Sequence, residues 1–186
     1  ICPSGVDNMC GHRFDKQYGE LPIGYDHKYV YSHFGYNLKA TDMQAAIGCA
    51  QLDKFQEFVE KRKKNFKQLF NGLSDQQDKF ILPKANVDSD PSWFGFMLTC
   101  QEGIERNRVV HHLEKNGIQT RMLFAGNLIK HPCFDKMRKL NQGYRVVDKL
   151  INTDIVMEGS FWIGVYPGMT EEKIEYMLEK LKENIP

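Results

Sequence analysis

The chain has 186 residues, with 25 Lys and Arg against 24 Asp and Glu and a formal charge of +1. That length suits one domain, or one domain with an appendage, and can bury a sizeable core. The cancelled charge favours neither nucleic acid nor an anionic membrane as a partner, no apolar run approaches a membrane span, and the scattered Cys2, Cys10, Cys49, Cys100 and Cys133 fit a reducing, cytoplasmic setting better than a disulfide scaffold.

The opening Ile1-Cys2-Pro3, with no initiator Met and no basic-then-apolar leader, reads as the interior of a longer polypeptide. Residues 1–40 are irregular: Gly5, Gly11, Gly19, Gly24, Pro3 and Pro22 leave little periodicity. Within them the alternation Tyr25-Asp26-His27-Lys28-Tyr29-Val30-Tyr31 predicts a short strand. Cys2 and Cys10 are on spacing alone two unrelated thiols, because a metal cluster normally needs four ligands and neither His12 nor His27 completes a familiar zinc pattern.

Thr41 followed by Gln44 forms a capping box, and Met43, Ala46, Ile47, Ala50, Phe55, Phe58, Val59, Phe66, Leu69 and Phe70 continue at helical spacing until Asn71-Gly72. A long linking helix over 41–73 is expected. The lead-in Gly35-Tyr36-Asn37-Leu38-Lys39 is either an ordinary approach to a capped helix or a set of polar groups aimed at an anion.

In residues 74–186, Asp90-Pro91 is a turn and Ser92–Cys100 an aromatic, β-rich strand. Asn107–Gly117 reads as a helix stopped by its glycine; His111 and His112, adjacent on it, point about 100 degrees apart and do not converge on one ion. Ile118–Phe124 is a strand running into the loop Ala125-Gly126-Asn127. A short helix begins at His131-Pro132 and runs through Leu140, and a second is capped by Asn152-Thr153-Asp154 and runs to Glu158. Ser160–Tyr166 is a third strand. Thr170 caps a closing helix through Glu183, with Ile174, Met177, Leu178 and Leu181 on one side. The order implies an α/β (α+β) layer with helices on one face of a small sheet.

Gly35-Tyr36-Asn37 and the following Gln44-Ala45-Ala46 helix resemble the matching segment of the DegT-type sugar aminotransferases, fold-type I enzymes that use pyridoxal or pyridoxamine phosphate on nucleotide-linked keto sugars. Asp90–Phe96, Thr120–Ile129 and Phe161–Gly168 are similar to one branch of that family, the 3-dehydrases of CDP-4-keto-6-deoxy-D-glucose in lipopolysaccharide O-antigen synthesis. The resemblance covers essentially the whole chain but only the C-terminal part of the family's longer one. It implies a long interface helix plus the small C-terminal domain, with the large cofactor domain missing.

By the same resemblance, Asn37 reaches the cofactor phosphate of the other subunit of a homodimer, and its neutral amide suits that acceptor. Lys39 adds positive charge nearby. Cys2 and Cys10 become the last two of four ligands to a two-iron two-sulfur cluster in the full-length protein, fed by a separate NADH-dependent iron-sulfur flavin reductase. The substrate contacts expected are Phe34, Arg121 and Asn127. A strand end and the loop after it commonly present binding groups, and the arginine fork suits phosphate oxygens, although Arg121 equally suits an ion pair at a sheet edge. The catalytic base and the Schiff-base position fall in the missing part, so the chain alone is expected to be inactive and to bind no iron. An aminotransferase without a cluster, and a non-catalytic binding module, remain as alternatives.

Overall fold

The computed structural model describes residues 14–26, 29–31, 33–36 and 38–183, in two compact units, 1–46 and 47–186. In the first unit the backbone folds through local turns, with Leu21 N donating to Tyr18 O, Tyr25 N to Pro22 O and Tyr29 N to Asp26 O at 3.0–3.1 Å. The last of these turns interrupts the alternating run expected as a strand. His27 and Lys28 lie outside the described residues, and the rest of the run is not extended in a ladder. Alternation signals a strand only where a partner strand receives it. The capping box forms as its chemistry requires: Thr41 N donates to Gln44 Oε1 at 2.9 Å and Gln44 N to Thr41 Oγ1 at 3.3 Å. It opens α1 (Asp42–Gly72).

The second unit follows α1 with β1 (Phe80–Ile81), β2 (Gly95–Cys100), α2 (Arg106–Lys115), β3 (Thr120–Met122), α3 (Asp135–Leu140), α4 (Ile151–Gly159), β4 (Ser160–Gly164) and α5 (Glu171–Lys182). The four strands form one antiparallel sheet in the order β1-β2-β4-β3. Because strand side chains alternate between faces, Phe96 and Leu98 meet Ile163 and Phe161 on one side. There they join Leu69 and Leu73, Val109, Val110 and Leu113 of α2, and Ile174 and Leu181 of α5 in a single core. Phe96, Leu98, Phe161 and Ile163 are wholly withdrawn from water, each contributing about 1.5–3 kcal/mol of burial. The fold class is the one expected, a small sheet whose core-forming helices share a face. The two middle helices differ from the rest: α3 and α4 carry no buried residue.

Three helix ends show which local rules governed. Gly117 (φ +75°) follows α2, with Ile118 N donating to Leu113 O and Gly117 N to Glu114 O, the paired bonds of a Schellman stop. Thr170 Oγ1 accepts from Lys173 N at 3.3 Å and caps α5. The start of α4 overturns its expected cap. The helix begins at Ile151, Leu150 takes left-handed geometry (φ 54°), and Asn152 sits inside the helix without capping it.

Candidate functional site

The other face of the sheet pairs Gly95 with Gly164, Met97 with Trp162 and Thr99 with Ser160. At its dry end the Thr99 and Ser160 hydroxyls satisfy each other at 2.7 Å. Arg121 also lies on this face, directly across from Trp162. The ladder between β3 and β4 ends at Thr120 and Ile163, and a groove of about 880 Å³ opens beside it. One wall is Gly117, Gln119 and Arg121, another is Trp162, Gly164 and Tyr166, and α5 closes the third with Glu172, Lys173 and Tyr176.

Several contacts hold these walls. A β-carbon at Gly95 would come within 2.7 Å of the Trp162 ring, so glycine there lets the indole lie close against the sheet, and Phe94 meets that ring edge-on at 5.3 Å. Asn65 of α1, buried at 5% exposure, donates its amide to Tyr166 O at 2.8 Å. Tyr176 Oη donates to Asn116 O at 3.0 Å, and Lys173 Nζ to Tyr166 Oη at 3.4 Å. The Arg121 side chain is exposed and makes no hydrogen bond or ion pair among the described residues. Glu114 is occupied by Thr120, whose hydroxyl (2.7 Å) and backbone N–H (2.6 Å) hold its carboxyl below the ordinary range, with the Arg121 charge adding a smaller push. An unpaired guanidinium and a loosely held ammonium among three aromatic rings suit an anionic ligand with a flat part.

Beyond β3 the chain makes a strained, heavily braced loop. Phe124, 78% exposed, has φ 46°, and Gly126 has φ 57° with Met157 packed where a β-carbon would stand. His131 Nε2 lies 2.6 Å from Ala125 O, and Arg138 donates to Ile129 O and His131 O. Asn127 is 3% exposed and donates its amide to Asp154 Oδ1 at 2.7 Å, and Lys130 pairs with the same carboxylate at 2.8 Å. The Lys130 bond, then the Asn127 amide, hold the Asp154 carboxyl below its ordinary range. Two of the expected substrate residues are thus separated. Arg121 lines the groove; Asn127 does not, and its donor group is spent on α4.

Of the other expected site residues, Phe34 and Lys39 are exposed in the first unit, while Asn37, Cys2 and Cys10 lie outside the described residues. Among the described residues no cluster of three or more His, Cys, Asp or Glu is arranged to hold a metal. A pyridoxal cofactor needs an amine for its aldehyde or a cradle for its phosphate. Among the described residues the partly buried lysines are all engaged: Lys63 by Asp90, Lys79 by Lys182 O, and Lys180 by Glu179 and Glu183, and for Lys63 and Lys180 these contacts raise the ammonium pKa. None of the three stands ready to meet an aldehyde. Nor does Cys100 offer a nucleophile, since burial pushes its thiol up to about 11 against a small opposing pull from Arg106. In the sequence, Trp162 and Gly164 drew notice only within the segment Phe161–Gly168, and no site role was expected of them, of Lys173 or of Tyr176; the available signal was a tryptophan and a glycine two residues apart on one face of a strand.

A long helix leading into a small antiparallel sheet with helices on one face is a fragment of the pyridoxal-phosphate aminotransferase fold. The chain belongs to the DegT/DnrJ/EryC1/StrS aminotransferase family, whose model matches residues 16–182. It is 53% identical over 184 residues to the lipopolysaccharide biosynthesis protein RfbH of Salmonella typhimurium, a match covering 98% of this chain and 41% of that protein. It is 48% identical over 184 residues to the dTDP-4-dehydro-2,6-dideoxy-D-glucose 3-dehydratase of Saccharopolyspora spinosa, covering 98% and 38%. Among solved structures, a variant of the GDP-4-keto-6-deoxymannose-3-dehydratase ColD with bound GDP-perosamine superposes with a TM-score of 0.73 at 25% identity, covering 85% of this chain and 40% of that one. The E. coli GDP-4-keto-6-deoxy-D-mannose-3-dehydratase with bound hydrated PLP gives 0.70 at 25% identity, covering 83% and 39%. The chain spans about two fifths of the length of these relatives.

Proposed function

We propose that this chain is the C-terminal part of a sugar 3-dehydrase that removes the 3-hydroxyl of CDP-4-keto-6-deoxy-D-glucose in O-antigen dideoxysugar synthesis. The observation that carries the reading is 48% identity along 98% of the chain to a protein named as a nucleotide-sugar 3-dehydratase. The groove adds chemical support, because an unpaired Arg121 with Lys173 beside it suits the diphosphate of a nucleotide sugar. Pyridoxamine phosphate, when bound, supplies the electron sink for loss of the hydroxyl.

In this reading Asn37 donates its amide to the cofactor phosphate across a homodimer, Lys39 adds charge there, and Phe34 and Arg121 bear on the substrate. Asn127 acts through the loop that it ties to Asp154. Cys2 and Cys10 are two of four thiolates of a two-iron two-sulfur cluster reduced by a separate NADH-dependent flavin reductase. The 186 residues alone are inactive, because they span only about two fifths of the length of their relatives.

The test is the polypeptide extended to its relatives' length, supplied with CDP-4-keto-6-deoxy-D-glucose, pyridoxamine phosphate, reductase and NADH. The product should be the 3-deoxy sugar by mass. An amino sugar formed with glutamate as donor would establish the aminotransferase reading in its place. In the active protein, Arg121→Met should raise KM about 10- to 100-fold, the equivalent of one charge-assisted contact, with little change in thermal stability. Normal kinetics with lost stability would make Arg121 a structural residue.

A further inference from the structure

We propose that the sheet surface over Gly164 receives the flat base of a nucleoside diphosphate, with Trp162 at its edge and Arg121 and Lys173 taking the diphosphate. The inference rests on the groove's being the substrate site and names the end of the substrate that it takes. Gly95 and Gly164 are cross-strand partners on one face, so together they form a patch of bare backbone. The two halves of that patch are unequal. Over Gly95 the Trp162 ring already lies, 2.7 Å from where a β-carbon would stand. Over Gly164 nothing comes within 4 Å, and this half is the one inside the groove. A planar ring laid there continues the aromatic layer begun by Phe94 and Trp162.

Charge selects among planar ligands. Arg121 stands across from Trp162, hence diagonal to Gly164 at about 7–8 Å, a gap that a pentose bridges. Its guanidinium makes no hydrogen bond or ion pair among the described residues and acts on Glu114 only as a distant charge, and the Lys173 ammonium has its 3.4 Å contact with the Tyr166 hydroxyl. Within the groove's own lining Glu172 brings one carboxylate against these two cations, while Glu114, outside the lining, is held by Thr120. Neutral aromatic ligands gain nothing from that excess, and a small anion alone leaves the Gly164 surface uncovered.

The chain has two tryptophans, so Trp93→Phe leaves Trp162 as the sole indole reporter, and Phe is a close replacement where Trp93 packs on Phe66. In that background CDP should quench the fluorescence saturably. Inorganic pyrophosphate and cytidine, each carrying half of the ligand, should bind at least about tenfold more weakly, in line with the usual value of base–aromatic stacking. Gly164→Leu fills open space from a backbone without left-handed geometry, so it should leave circular dichroism and Tm unchanged while weakening CDP at least about tenfold. Should the leucine disturb folding, Gly164→Ala replaces it and should weaken CDP by a smaller factor. Three results would overturn the proposal: no quenching by CDP, pyrophosphate binding as tightly as CDP, or full CDP affinity in the folded Gly164 variants. These readings need no turnover. Gly164-dependent CDP binding beside a normal KM in Arg121→Met would uphold the base site and remove Arg121's assigned role; the reverse pattern would do the opposite.

Discussion

Asn65 sits in the middle of α1, where a helix gains nothing from an asparagine, and it is nearly fully buried. Its amide is bonded to Tyr166 O, so one side chain fixes the segment between β4 and α5 that forms a groove wall. Asn65→Ala removes that donor. Leaving a buried acceptor unpaired costs about 1–3 kcal/mol, but Tyr166 O keeps a 3.3 Å bond from Met169 N, which places the cost near 1–2 kcal/mol. Alanine returns about 0.5 kcal/mol of helix propensity. The net loss is about 1 kcal/mol, equivalent to roughly 2–4 °C in Tm for a chain of this size. Thermal unfolding by near-ultraviolet circular dichroism measures it, and nucleotide affinity should fall with it as Tyr166 loosens. Asn65→Leu separates hydrogen bonding from packing, because leucine fills similar space without the donor. A leucine variant as stable as the wild type, or an alanine variant with unchanged Tm, would refute the reasoning.

Two further outcomes concern the loop after β3. Phe124→Gly relieves left-handed strain of about 1–2 kcal/mol and loses about 0.5–1 kcal/mol to the freer unfolded chain, so Tm should rise by a degree or more; a fall would show that the exposed ring is packed or the backbone relaxed. The Asp154 carboxyl is held below its ordinary value of about 3.9, so its bracing is complete above that value and is lost as pH falls through the lower, folded one. Amide exchange over residues 124–131 should therefore lose protection below about pH 4, and Asp154→Asn should remove that pH dependence; equal protection at about pH 6 and about pH 3 would dispose of the role.

What the sequence disclosed were features governed by neighbours along the chain. The Thr41–Gln44 box, the Thr170 cap and the Gly117 stop each depend on residues within five positions, and all three formed. Aromatic and β-rich composition likewise located β2 and β4, each of which has a neighbouring strand on both edges. Alternation failed for Tyr25–Tyr31, where no neighbouring strand receives the pattern among the described residues. The surroundings of Asn127 were not legible for a related reason: an amide on a loop looks available, and only the arrival of α4, 27 residues later, brings Asp154 to it. The groove was not legible because Gly95 and Gly164 become neighbours only once β2 and β4 pair. Arg121, expected from its chemistry alone, does line the groove.

The strand order has a consequence for how the chain becomes this shape. Even the nearest partners in the central ladder, Thr99 and Ser160, are 61 positions apart, while the strands at the two margins are two and three residues long. Only β1 and β2 are joined directly, across residues 82–94, and they meet at two positions. The β2–β4 pairing must close over a long stretch of chain before β3 has a strand to bind, and closure over such a distance is slow. During synthesis the apolar Phe96 and Leu98 of β2 therefore wait for their partners until Ser160–Gly164 leaves the ribosome. A polypeptide stopped short of β4 would leave β2 with only the two-residue β1 beside it and β3 with no strand to pair, and would be expected to aggregate before it could fold.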